Sequence, residues 1–471
     1  MKKYTFLSII LTLIAFLPSS SEARRPGSYQ DIKVPELRWE LPNHTDFALE
    51  NGIAGFVVED HEVPLVDFEL LFSAPPDPAE QVGLYQIAAW ALRNGGAITL
   101  PADSLNDLIE FKGANLWISG GQDNIFIAVT CLTEDLPLML SIVEQLVSQP
   151  AYPQDKIELK KSTMQEELRR RNDQPSEIAR REIYRLLYQN HPWGRDASLA
   201  TIDAITRNDI LSYHQTVFQP EGAVIGFTGD LNSETARDLS ARYLSGLKKR
   251  GGQIAKVPPV GEPSEPGVYY AFKDVNQAYI MTGHLTIDYF DPRRPASDMM
   301  NYILGGGSFQ SILTKKIRID AGLAYSVGSR FTTPTDGIGV FRVGASTRLD
   351  QSGRTLELMR EVISQFALKG PTPEEFEAAR QAFLNSYIWQ YETSSDILGQ
   401  LVYYKWKGLP LDTPQRDLDA YQKMTLEDVR KVASELLHPD SLITVVVGDK
   451  AKMDRPLEDF GRVHNLDLNA E

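Results

Sequence analysis

Displaced by 219 residues, this chain lies over itself, which restricts it to folds with two similar halves. Thr206, Asp209, Pro220, Gly229 and Asp230 meet Thr425, Asp428, Pro439, Gly448 and Asp449 without a gap. The two stretches read TRNDILSYHQTVFQPEGAVIGFTGD and TLEDVRKVASELLHPDSLITVVVGD. The register extends upstream, where PSEI (175–178) faces SSDI (394–397). Two copies are too few, and each is too long, for a solenoid. Duplication on this scale builds a two-halved molecule with an enclosed site between the halves. One copy is then free to keep chemistry while the other keeps binding.

A length of 471 residues leaves room for about three or four domains. Hydrophobic content of 42% and charged content of 24% are those of an ordinary globular protein. Residues 1–23 read as a secretory signal peptide. Lys2 and Lys3 precede an apolar run from Phe6 to Leu17, and small residues lead to Ser21-Glu22-Ala23. Cleavage after Ala23 and export, to the periplasm or otherwise, are therefore expected. The run is short for a membrane span, no cysteine follows it to carry a lipid, and no second apolar run is long enough to cross. No stable membrane insertion is expected after cleavage.

Cys131 is the only cysteine, which excludes an internal disulfide and fits an oxidising compartment. It lies in the apolar strand IFIAVTCLT and reads as a small buried residue rather than a nucleophile. The formal charge of −15 becomes −16 once Lys2, Lys3 and Glu22 leave with the signal. A field of that sign disfavours nucleic acid and anionic membranes, and it tolerates or attracts basic peptides.

Patterning gives an α+β chain with mixed or antiparallel sheets. GIAGFVVED and LVDFELLFSA read as strands joined through HEVP, and a helix follows from Gln81. WISGGQDNIFIAVTCL reads as strand interrupted by a Gly-Gly turn. PLMLSIVEQLVSQ is an amphipathic helix, and a long helix from Pro153 through Arg170 is broken at Asp173-Gln174-Pro175. AVIGFTG closes the first half. The stretch 248–267, rich in Gly, Pro and charge, reads as a linker between residues 24–247 and 268–471. The second half repeats the plan with strands YYAFKD and QAYIMTGHLTI, strands near Ala324–Arg330 and Gly337–Ala345, two long helices and LITVVVG.

With NGIAGFVVEDHEVPLVDFEL, GLYQIAAWALRNGG, NHPWGRD and ILGGGSFQSILTKKIRIDAGLAYSV, the chain resembles the M16 family of zinc peptidases over about Leu41 to Asp449. The resemblance implies two homologous halves, each a pair of similar α/β subdomains, facing each other across a chamber. Active members carry an inverted zinc motif, His-x-x-Glu-His, whose two imidazoles share a helix face while the Glu activates water. A further Glu, about 77 residues on, is the third ligand. Here Gln86 and Trp90 stand for the histidines, Ala89 for the catalytic base, and only Glu167 (or its neighbour Glu166) survives. No pair among the seven histidines has helical spacing to replace them. No metal is expected in this chain, and Glu167, on a helix reading EELRRR, is more often a solvated charge or an i,i+4 partner for Arg171 than a site residue. His191 in NHPWG resembles a segment that packs near the domain junction, a structural role.

Active members also carry an Arg and a Tyr seven residues apart that contact the scissile peptide opposite zinc. Arg318 and Tyr325 in IRIDAGLAYSV match that spacing. A guanidinium and a phenol are able to hold a carbonyl oxygen and stabilise the oxyanion formed on it. Gly305, Gly306 and Gly307 lack the Lys-Ser/Thr of a phosphate loop and resemble a chamber-wall loop that a peptide approaches. The strand around GANLWISGG resembles the edge on which family members lay an extended peptide.

The pattern, zinc site erased and Arg/Tyr pair kept, resembles one subunit of a bacterial heterodimeric M16 peptidase. That reading expects a partner with an intact His-x-x-Glu-His carrying zinc, and unfolded peptides as substrates. The alternative is an inactive scaffold or peptide-binding protein of the core-protein type. An enzyme acting alone by other chemistry is the third reading.

Overall fold

The computed structural model describes residues 42–249 and 254–468; the signal-peptide reading and residues 250–253 of the linker fall outside them. The first half supplies β1 (Thr45–Ala48), β2 (Ala54–Glu59), β3 (Leu65–Ser73), the short β4 (Gly96–Ala97) and β5 (Leu100–Pro101), β6 (Asn115–Gly120), β7 (Asn124–Leu132) and β8 (Val224–Gly229). The second supplies β9 (Gly267–Phe272), β10 (Gln277–Leu285), β11 (Ala324–Phe331), β12 (Val340–Arg348), β13 (Ile443–Gly448) and β14 (Val463–Asn465). One six-stranded sheet runs β1-β2-β8-β3-β7-β6 and the other, read from its far edge, β14-β9-β13-β10-β12-β11.

From β2 and β9 onward these orders correspond place for place, while the first strands differ, β1 running antiparallel to β2 and β14 parallel to β9. In both halves the central strand pairs parallel with one neighbour (β2 with β8, β9 with β13) and antiparallel with the other (β3 with β8, β10 with β13). Helices Arg207–Val217 and Leu426–Leu436 precede the central strands. Each starts with a capping box, Thr206 with Asp209 and Thr425 with Asp428, so the repeated T-x-x-D is a helix-start signal used twice. The α+β class and the two similar halves are as expected. Each half carries one six-stranded sheet, where a pair of subdomains is expected, because β2, β3, β6, β7 and β8 hydrogen-bond into one continuous ladder. In the second half, the two expected long helices, Ser352–Lys369 and Pro373–Tyr387, are followed by three more before β13.

The halves exchange helices. The helix Pro175–Tyr188 belongs to the first half by sequence but packs on the second sheet. Its Ile178, Ile183 and Leu187 join a core with Met281, Val445 and Val447. Its counterpart Ser394–Lys407 packs on the first sheet. The strand period of two puts Asp67, Glu69, Leu71 and Ser73 of β3 on one face. The helix meets that face at matching steps: Ser395 Oγ donates to Asp67 Oδ2 (2.8 Å) and Trp406 Nε1 donates to Ser73 Oγ (2.8 Å). Between them Gly399 lies over Glu69, a Cβ there falling 3.8 Å from Oε2. A side chain at Gly226 of β8 has no room, since its Cβ falls 2.6 Å from Leu398 Cδ1. Lys407 ends the helix bonded to Asp123 Oδ2 (2.7 Å) and to Asp336 of the second half.

Glu69 has no hydrogen-bond partner among the described residues. Burial under the exchanged helix, and secondarily Asp67, push its carboxyl from an ordinary 4.5 up to about 7. A carboxyl raised on folding binds its proton more tightly in the native state, so stability is greatest below pH 4.5 and falls as pH rises through 7. Glu69→Gln removes that loss. We expect the variant to match the parent at pH 5 and to exceed it by about 2–3 kcal/mol at pH 8. Denaturant melts at the two pH values measure it, and parallel curves for parent and variant would refute it.

Candidate functional site

The helix Leu84–Gly95 begins under Asp77, whose carboxylate accepts from the backbone N–H groups of Gly83 (2.7 Å) and Tyr85 (3.1 Å). Burial pushes the Asp77 carboxyl up to about 6, and those N–H bonds restrain the rise. On this helix Gln86 is exposed and its amide donates to the Tyr85 hydroxyl (3.0 Å). Ala89 is 3% exposed and lies against β6, where a Cβ on Gly120 falls 3.2 Å from the Ala89 Cβ. Trp90 is half-buried against the first-half core.

Glu167 sits exposed on the helix Gln154–Arg170, one turn beyond the buried Met164. Its expected partner Arg171 donates instead to the Ala197 carbonyl (3.4 Å), and Glu166 takes the local ion pairs, with Arg169 and Arg170. This donor set does not fit zinc. An indole N–H has no lone pair to give, a methyl has none, and a lone carboxylate and amide leave the coordination sphere unfilled. Among the described residues no group of three or more His, Cys, Asp or Glu side chains is placed to hold a metal ion. His284 and His438 approach with rings 5.1 Å apart, but His284 Nε2 already accepts from the His438 backbone N–H (3.2 Å). His191 is buried and bridges segments: Nε2 donates to the Pro258 carbonyl (2.8 Å) and Nδ1 accepts from Trp193 N–H (3.2 Å). Cys131 is buried, and desolvation pushes its thiol up to about 12, which makes it unreactive.

Arg318 and Tyr325 do meet. Arg318 lies in a wide helical turn, Thr314–Asp320, in which Ala321 N–H reaches back five residues to the Lys316 carbonyl (3.2 Å). Buried Ile317 anchors that turn, and Thr314 Oγ1 ties it to β11 at the Val327 carbonyl (3.3 Å). On β11 the pairing with β12 slips between Ala324 and Ser326, so Tyr325 is the extra residue of a β-bulge. Bulges re-aim side chains, and Tyr325 emerges 78% exposed on the sheet edge. The Arg318 guanidinium lies 5.6 Å from the Tyr325 ring and 4.8 Å from Phe309, itself 61% exposed. Sequence reasoning missed Phe309; its only signal was an aromatic separated by one residue from a glycine run. Ser308, at φ +55°, makes the left-handed turn that presents it, a strained conformation of the kind found at functional sites.

The glycine run is not an open loop. Gly305 and Gly306 end a wide turn, Tyr302–Gly306, closed by Gly307 N–H to the Tyr302 carbonyl (2.8 Å). Gly305 is buried, and a Cβ there falls 2.5 Å from Ser329 N, so its missing side chain admits the β11 backbone. At Gly306 a Cβ meets Asn301 Nδ2 at 2.8 Å, and at Gly307 the Tyr302 carbonyl at 2.7 Å. The β6 strand is one of the two edge strands of the first sheet. Gln86 opens on a cavity of about 290 Å³ lined also by Tyr85, Gln122 and Arg195; Arg318 and Tyr325 do not line it.

Residues 204–383 match the family described as the peptidase M16 inactive domain. The non-peptidase homolog YmxG of Helicobacter pylori is 26% identical over 401 residues, covering 84% of this chain and 91% of that one. An uncharacterized zinc protease of Mycobacterium leprae is 26% identical over 337 residues, 68% of this chain and 74% of that one. The crystal structure of a peptidase M16 inactive domain from Pseudomonas fluorescens superimposes with a TM-score of 0.78 at 26% identity, over 88% of this chain and all of that one. The periplasmic protease PqqL of Escherichia coli shares the fold, with a TM-score of 0.74 at 18% identity over 96% of this chain and 49% of that one. Residues 204–383 thus carry a peptidase M16 inactive domain, and the chain as a whole is similar to M16 relatives in sequence and in its duplicated sheets.

Proposed function

We propose that this chain is the zinc-less subunit of an exported two-subunit M16 peptidase, in which Arg318 and Tyr325 contribute substrate contacts to a zinc-bearing partner. One observation carries the reading. The first half has lost both imidazoles and the catalytic base of the zinc motif, while the second brings half-buried Arg318, on the turn Thr314–Asp320, against exposed Tyr325 of the bulged edge strand, framed by Phe309. A relic under no functional constraint has no reason to keep a guanidinium and a phenol unburied and 5.6 Å apart. In the assembly, a carbonyl oxygen of an unfolded peptide accepts from the Arg318 N–H fork and the Tyr325 hydroxyl. Both bonds strengthen as negative charge develops on that oxygen. The partner, with its intact His-x-x-Glu-His, brings the metal and the water-activating Glu.

Size supports pairing: nearly all of this chain corresponds to about half of PqqL, so a second chain of similar length would complete a molecule of that size. Export follows from the N-terminal signal pattern, and no helix among the described residues is long and apolar enough to cross a membrane. The test is affinity purification of the chain from its native cell envelope with mass spectrometry of what accompanies it. A stoichiometric M16 relative carrying His-x-x-Glu-His is the expected companion. Recovery of the chain alone would overturn the two-subunit reading and favour the peptide-binding or scaffold role.

A further inference from the structure

A larger cavity, about 820 Å³, opens at the junction of the halves, within the size range of ligand sites. Its wall carries Arg170, Arg171, Arg180, Arg181, Arg195 and Arg330, against only Glu177 and Asp196. Six guanidinium groups facing two carboxylates give the lining a net charge of +4, inside a chain whose formal charge is −15. Fields concentrate in such clefts.

The arginines are not equivalent. Arg181 builds the wall: its guanidinium donates to Asn172 Oδ1 (2.9 Å), the Arg171 carbonyl (3.2 Å) and Glu182 (3.1 Å). Arg180 pairs only with Glu177, one turn away and exposed, an interaction worth little. Arg195 makes a single bond, from Nε to the Asn190 carbonyl (2.9 Å), and Arg330 makes none among the described residues. Two guanidinium groups with vacant donors therefore face the cavity from opposite halves. Tyr184, Tyr188 and Trp193 line the same space and offer apolar surface between the charges. The smaller cavity beside Gln86 shares Gln122, Arg180, Arg195 and Asp196 with this one, so the space continues toward the substituted zinc helix, where Asp77 balances the charge.

We infer that this cavity selects peptide segments rich in Asp and Glu, holding their carboxylates on Arg195 and Arg330. The inference rests on the peptide-handling reading above and gives it a substrate class. It reverses the preference for basic peptides expected from net charge, because a bound segment meets the local lining rather than the whole-molecule field. Bidentate guanidinium–carboxylate pairing suits these groups. A peptide is favoured over nucleic acid because the acidic outer surface opposes a long polyanion, while a short segment reaches the basic interior.

The experiment uses the isolated full chain at low salt and a short fluorescein-labelled peptide of alternating Glu and Ala, with a Lys-for-Glu counterpart. Anisotropy should show the acidic peptide bound and the basic one not. The double variant Arg195→Gln/Arg330→Gln should weaken the acidic peptide by about tenfold or more. Arg237→Gln/Arg242→Gln, on the outer helix Ser233–Leu244, removes the same charge and should leave binding unchanged. Matching thermal melts establish that both variants fold. Equal binding of the two peptides, or equal effects of the two double variants, would overturn the charge selection and leave the peptide-handling reading standing. No binding of either peptide would count against both. Displacement of the acidic peptide by a single-stranded oligonucleotide at equal concentration would overturn it in favour of a general polyanion site.

Discussion

Arg318→Ala should lower kcat of the proposed zinc-bearing two-subunit assembly by about a hundredfold to a thousandfold, the range for loss of one oxyanion donor. Assembly itself should be intact, because Arg318 lies outside the buried core and its ring contacts are with the exposed Phe309 and Tyr325. Tyr325→Phe keeps the ring beneath the guanidinium and removes one hydroxyl donor, so a smaller loss is expected, mainly in kcat. Arg318→Lys separates charge from geometry. A lysine restores the cation but not the planar fork, and it should recover only part of the activity. Steady-state kinetics on the co-purified complex measure all three. Full activity in Arg318→Ala with stoichiometric partner would remove the pair from the mechanism and leave a scaffold.

Much of this architecture was legible because local signals recur. The 219-residue offset carries β8 onto β13 and one T-x-x-D capping box onto the other, since central strands and helix starts have strong local chemistry. The Arg318/Tyr325 spacing was legible through family resemblance alone. What was illegible is tertiary. PSEI and SSDI align as sequence, yet nothing in either says that each helix packs on the other half's sheet. A bulge at Tyr325 leaves no composition mark, because it is an irregularity of pairing between β11 and β12. The wide turn ending at Gly306 reads as loop from its glycines, whereas Gly305 is there to admit Ser329. The basic cavity was hidden for the same reason. Its arginines are scattered from 170 to 195 and again at 330, and whole-chain charge points the other way.

Exchange of helices should also make the two halves unfold as one. Leu398 is fully buried, and its Cδ1 occupies the space above Gly226 that a side chain there would need. Leu398→Ala opens a cavity in the middle of that contact and should cost about 3–5 kcal/mol. The reciprocal change, Ile183→Ala, strips the other exchanged helix from Met281, Val445 and Val447 and should cost about 2–4 kcal/mol. In a molecule of two self-contained halves, each variant would melt its own half first. Here the helix damaged by Leu398→Ala belongs by chain to the second half and by packing to the first, so neither half keeps a complete core once it leaves. Denaturant unfolding should therefore remain a single transition in both variants, with coincident curves from far-UV circular dichroism and tryptophan fluorescence. Trp406, bonded to Ser73 across the exchange, makes the fluorescence sensitive to this contact. A second transition appearing in either variant would show that the exchanged helices decorate two independent domains instead of locking one.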